Sequence, residues 1–107
     1  MTDITYYKSY ELVADTLTDL TDGGLADGEA GAYWLNFCND TEADVTIKHI
    51  YVTNGAAPAR KDKINPEVMM PKQTPYSIMP FKLGVGQKVF VEVSASIPVQ
   101  LFGAKED

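Results

Sequence analysis

His49 and Cys38 are the side chains best suited to nucleophilic, acid–base or soft-metal chemistry, and each is the only one of its type in the chain. A zinc site needs several such ligands, and an internal disulfide needs a second cysteine. His49 sits inside "VTIKHIYV", residues 45–52, and reads as a partly buried strand residue. Cys38 ends "YWLNFC", residues 33–38, and reads as a small buried hydrophobe with nothing beside it in sequence to lower its thiol pKa. The acids Asp15, Asp19, Asp22, Asp27 and Glu29 invite a calcium reading, but they are too loosely spaced and the D-x-[DN]-x-[DN]-G pattern is absent. A pair of carboxylates could serve glycoside hydrolysis, yet with 15 acids in the chain their presence selects nothing. "Gly84-Val85-Gly86" lacks the third glycine and the Lys-Ser/Thr ending of a phosphate loop and reads as a turn. The basic run Arg60, Lys61, Lys63 is interrupted by Asp62 and reads as a solvated loop or one that docks an acidic neighbour. No nucleophile has an adjacent base. The expectation is a protein without enzymatic activity, cofactor or metal.

The formal net charge of −6 argues against nucleic-acid binding through an overall positive field. Its placement is uneven. Residues 1–44 hold ten acids and one base, Lys8, whereas residues 45–107 hold five acids and eight bases. Such a division fits either a solvated surface or a head-to-tail contact in which an acidic flank of one copy meets a basic flank of the next. At 107 residues the chain suits one domain, spanning 1–107. No run approaches the roughly 20 apolar residues of a membrane span. "MTDITYYKSY" has no basic stretch followed by an apolar one, so the expectation is synthesis in a cytosol with no membrane partner.

Strand patterns dominate. Residues 33–38 alternate, with Tyr33, Leu35 and Phe37 on one face, and residues 39–44 form a turn because Asn and Asp bond their own backbone. In residues 45–52 the apolar phase changes near His49, as at a bulge or in a strand buried on both faces. Residues 54–75 carry Pro58, Pro66, Pro71 and Pro75 and read as a long loop. Residues 76–83, with Pro80 inside, read as an edge strand. Val89, Val91 and Val93 share one face, as do Ile97, Val99 and Leu101. The three residues between these runs, Ser94, Ala95 and Ser96, suit a hairpin loop. Residues 10–20 fit either strand or helix, with strand favoured by Tyr, Val and Thr. Residues 21–31 are loop, and residues 1–30 are either an arm or part of the body. The whole predicts an all-β fold, a single antiparallel β-sandwich, jelly-roll or Ig-like, of six to eight strands.

Aromatic residues are left over. Tyr6, Tyr7 and Tyr10 cluster near the N-terminus, and Trp34, Phe90 and Phe102 fall out of phase with the core faces of their strands. They belong either to a two-sided core or to an interface, where large aromatics are enriched. In a hairpin, Phe90 and Phe102 would share one outer face.

The order "LNFCNDT", then "DVTI" and "YV", then "LGVGQKVFV", "SAS" and "VQLFG" resembles small β-sandwich virion proteins of tailed bacteriophages. The likeness covers residues 33–103, and the first 30 residues do not contribute. It implies a non-enzymatic part of the particle made in the host cytoplasm. The reading it favours is a capsid decoration protein that binds and reinforces the assembled shell, with the major capsid protein as partner and a homo-oligomer, a trimer, as its state. A tail, neck or fibre component is the alternative. A carbohydrate-binding module stacking Trp34 on sugar rings is a third reading, against which stands the position of Trp34 inside a strand. The interface candidates are Tyr6, Tyr7, Tyr10, Trp34, Phe90, Phe102, Arg60, Lys61 and Lys63.

Overall fold

A computed structural model of the protein describes residues 3–55, 57–78 and 80–105, the side chains of 3–6 and 105 excepted. The described residues form nine strands: β1 Asp3–Glu11, β2 Thr18–Asp19, β3 Gly31–Asn39, β4 Val45–Thr53, β5 Val68–Met70, β6 Thr74–Ser77, β7 Phe81–Leu83, β8 Lys88–Val93 and β9 Pro98–Lys105. They form two antiparallel sheets that pack together as a β-sandwich. Sheet A runs β1-β9-β3-β6, with β7 also on β3, and sheet B runs β2-β8-β4-β5.

Period-two alternation explains the core. Tyr33, Leu35 and Phe37 of β3 and Val99 and Leu101 of β9 point inward from sheet A, and Val89, Val91 and Val93 of β8 face them from sheet B. Burying one such aliphatic or aromatic side chain is worth about 1.5–3 kcal/mol. The phase change in β4 is a bulge. Ile47 pairs with Val93 and His49 with Glu92, so Lys48 is the extra residue, and Ile50 resumes the inward face opposite Val91. The expected edge strand over residues 76–83 is two short strands, β6 and β7, both on the edge of β3 and separated around Pro80.

The closing pair is not a hairpin. β8 belongs to sheet B and β9 to sheet A, and residues 94–97 carry the chain from one sheet to the other. Both runs turn an apolar face to the core, but from opposite sides of it. Alternation alone gives the same pattern for strands that pair and for strands that face each other across the roughly 10 Å between sheets. The crossing is held by Ser94 N–H on Thr46 O (2.9 Å), Thr46 N–H on Ser94 Oγ (2.8 Å) and Leu12 N–H on Ile97 O (2.9 Å).

Residues 10–20 are neither one strand nor a helix. β1 ends at Glu11, and the chain then crosses beside residues 93–97, with Asp15 N–H bonded to Val93 O (2.8 Å), before β2 joins β8. Leu12, Leu20 and Leu25 are buried in the core, so this segment packs as part of the body. The loop after β2 is pinned by Gly86 N–H on Leu25 O (2.8 Å) and Leu25 N–H on Gln87 O (3.1 Å). Residues 54–75 are also more ordered in pattern than a plain loop. They hold a 3-10 turn at Arg60–Asp62, the strand β5 and the start of β6.

Candidate functional site

The outer face of sheet A carries a row of aromatic side chains. Tyr7 of β1 pairs with Phe102 of β9, which pairs with Trp34 of β3, so the three stand side by side across three strands. Trp34 and Phe102 are stacked, centroids 5.5 Å apart and planes 11° from parallel, and Tyr7 lies 6.5 Å from Phe102. Trp34 and Phe102 are half-buried, and Tyr7 is 58% exposed. One face of Trp34 is therefore covered by Phe102. The next row is polar: Ser9, Gln100, Asn36 and Ser77 lie opposite one another in turn. Gln100 donates to the Tyr7 hydroxyl (3.0 Å) and Ser77 to Asn36 Oδ1 (2.5 Å). An apolar strip flanked by satisfied polar groups has the make-up of a protein interface.

The outer face of sheet B carries a second row. Asp19 of β2 pairs with Phe90 of β8, and Phe90 with Tyr51 of β4. Beyond Tyr51 lies Lys63, bridged to it along the edge of β4. His49 stacks on Tyr51 with centroids 5.2 Å apart, and Lys63 Nζ is 3.3 Å from His49 Nδ1. The carboxylate of Asp19 is held by Thr21 N–H (2.9 Å), Thr21 Oγ1 (2.6 Å) and Gly23 N–H (2.9 Å). Arg60, Lys61 and Lys63 line a shallow depression of 530 Å³ with Ile64, Asn65 and Pro66.

These placements sort the residues marked out in the sequence. Phe90 and Phe102 lie on opposite outer faces, because their strands belong to different sheets. The crossing of β8 into β9 thus corrects the expectation that the two share one outer face. Tyr7 joins Trp34 and Phe102. Tyr10 points inward against the core and donates its hydroxyl to Leu20 O (2.8 Å). Tyr6 lies in β1 opposite Gly103, and its side chain is outside the described residues. Cys38 is exposed, contrary to its reading as a buried hydrophobe. Its strand turns Phe37 and Asn39 inward, which leaves residue 38 outside. Gln100, Ser77, Tyr51 and His49 escaped sequence reasoning as surface neighbours, since their relation depends on register between distant strands.

Among the described residues no group of three or more His, Cys, Asp or Glu is placed to hold a metal ion. Among the same residues no helix is long and apolar enough to cross a membrane. Lys48 is a perturbed titrating group: its pKa is raised from 10.5, first by its hydrogen bond to Asp15 and further by the negative charges of Asp15, Glu92 and Glu67, against an opposing desolvation. Comparison of the chain with protein-family models, with curated proteins and with solved structures gave no match.

Proposed function

We propose that the protein is a structural component of a tailed-bacteriophage virion, a decoration protein that binds the assembled capsid shell through the outer face of sheet A. The observation that carries this reading is the row Tyr7, Phe102 and Trp34, apolar, half-exposed and bordered by Gln100, Asn36 and Ser77. Large aromatics in such a setting are the side chains that most often anchor one protein on another. Many copies of a modest contact then hold strongly, because a multimer engages several shell sites at once. The likeness of residues 33–103 to virion β-sandwiches favours the same role, with a trimer as the expected state. A sugar-stacking role fits less well, because Phe102 already covers a face of Trp34.

The test is co-sedimentation of the purified protein with empty heads and, separately, with tails of the phage. Binding to heads that is lost in Trp34→Ala/Phe102→Ala supports decoration. Binding to tails alone moves the protein to the neck, tail or fibre. No binding to either overturns the virion reading.

A further inference from the structure

Sheet B has two edges of opposite charge. β2 is its first strand, and the chain around it, residues 11–29, contains Glu11, Asp15, Asp19, Asp22, Asp27 and Glu29 and no lysine or arginine. On the far side of the sheet, Lys63 runs along the edge of β4 beyond the end of β5, and the 3-10 turn before it presents Arg60 and Lys61. The acid within this run, Asp62, is engaged by Ala59 N–H (2.8 Å).

Several charges at both edges lack counterparts. Lys48 has Asp15 within ion-pair distance and Glu92 at 4.0 Å, whereas Asp22, Asp27, Arg60 and Lys61 have no oppositely charged partner among the described residues. Each edge also shows apolar surface. Val13 is 59% exposed and Leu17 39% exposed on the acidic side, and Ile64 is 43% exposed on the basic side. Exposed apolar side chains and unpaired charge along one edge, met by apolar surface and unpaired charge of opposite sign along the other, describe two halves of one contact.

We propose that the protein self-associates head to tail, the acidic β2 edge of one copy seated on the Arg60/Lys61/Lys63 corner of the next. The contact is heterologous, because the two surfaces differ and lie at opposite edges of one sheet. It therefore closes copies into a ring or, if the rotation does not close, extends them into a filament. The occupant is a second copy because the missing counter-charges of each edge are present on the other edge of the same chain. The outer face of sheet A takes no part, so the association can be read in the absence of shells, although its loss would also lower the avidity of shell binding.

The experiment is light scattering after size exclusion at about 50 mM and about 500 mM salt, which bracket strong and weak screening. Two exposed-charge variants are compared with the parent, Arg60→Glu/Lys61→Glu and Asp22→Asn/Asp27→Lys, together with their combination. Circular dichroism confirms that each is folded. The expected result is a parent mass above that of the monomer at low salt, falling toward the monomer at high salt. Either variant alone weakens association roughly tenfold, and the combined charge swap restores it. A monomer at both salts overturns the proposal, as does an oligomer indifferent to salt and to both variants. Failure of the combination to recover what the two variants lose also overturns it. Co-sedimentation with heads reads the shell contact separately.

Discussion

The ring of Tyr33 lies across Gly103, its direct partner between β3 and β9, so closely that a Cβ at position 103 would stand only 2.4–2.6 Å from three of the ring carbons. Both residues face the core, and the Tyr33 hydroxyl reaches Glu29 O (2.5 Å), which fixes the ring in place. Because the neighbour is a fully buried aromatic, it has nowhere to move. Gly103→Ala is expected to destabilise the fold by about 1–3 kcal/mol, the usual cost of overpacking. Urea denaturation checks this, and an unchanged midpoint would show that the ring can step aside.

Trp34 and Phe102 invite the opposite expectation. Their stacking is worth about 0.5–1.5 kcal/mol beyond area burial, but both rings stand on an outer face. Alanine at either position should therefore lower stability modestly, by about 1–2 kcal/mol. Binding to heads should fall by tenfold or more, as for a central interface aromatic. A stability loss of core size with binding intact would mark the pair as structural only.

Lys48 supplies a pH dependence with a definite sign. Its folded pKa is raised above 10.5, chiefly by the hydrogen bond to Asp15. The group binds its proton more tightly in the folded state. Its contribution is thus complete below the unfolded pKa and is lost as pH rises through the higher folded value. With 35% of the side chain exposed, the contribution is small. An NMR titration of the Lys48 side chain should give a pKa above that of a free lysine. Asp15→Asn should return it toward the ordinary value, and a titration that ignores this substitution would assign the shift to another group.

Much of the architecture was legible in local pattern. The alternation of residues 33–38, the phase change at His49 and the proline-broken edge at residues 76–83 each report one strand and its neighbours. Each has its counterpart in β3, in the bulge of β4 and in β6 with β7. What was not legible is which strands share a sheet. The runs 89–93 and 97–101 have the pattern of a hairpin and the positions of facing strands, because alternation records only that a face is buried. The same ambiguity placed Phe90 beside Phe102 and hid the row from Tyr7 to Trp34, whose members are up to 95 positions apart in sequence. Cys38 departs from the sequence pattern for a simpler reason. It follows an apolar run, but it occupies the outward phase of that run.

Asn39 has the sequence pattern of a turn residue, and its position shows what its amide does there. It is fully buried at the end of β3. Its Oδ1 accepts from Thr41 N–H (3.1 Å) and Thr41 Oγ1 (2.7 Å), shaping the turn, while its Nδ2 serves the carbonyls of Ala43, Met70 and Pro71, each at 3.0 Å. One amide thus ties β3 of sheet A to the end of β5 in sheet B. Asn39→Ala leaves these carbonyls without that donor and is expected to cost about 3 kcal/mol. Asn39→Asp is the sharper test. A carboxylate there is desolvated and faces three carbonyl oxygens, so its folded pKa rises above the unfolded one. The folded state then binds more protons, and the variant loses stability as pH climbs from about 4 toward neutrality. Denaturation midpoints of Asn39→Asp and the parent should converge in acid and separate as pH rises. A constant gap between them would mean that the carbonyls turn away and the amide donor is not what holds the two sheets together at this end.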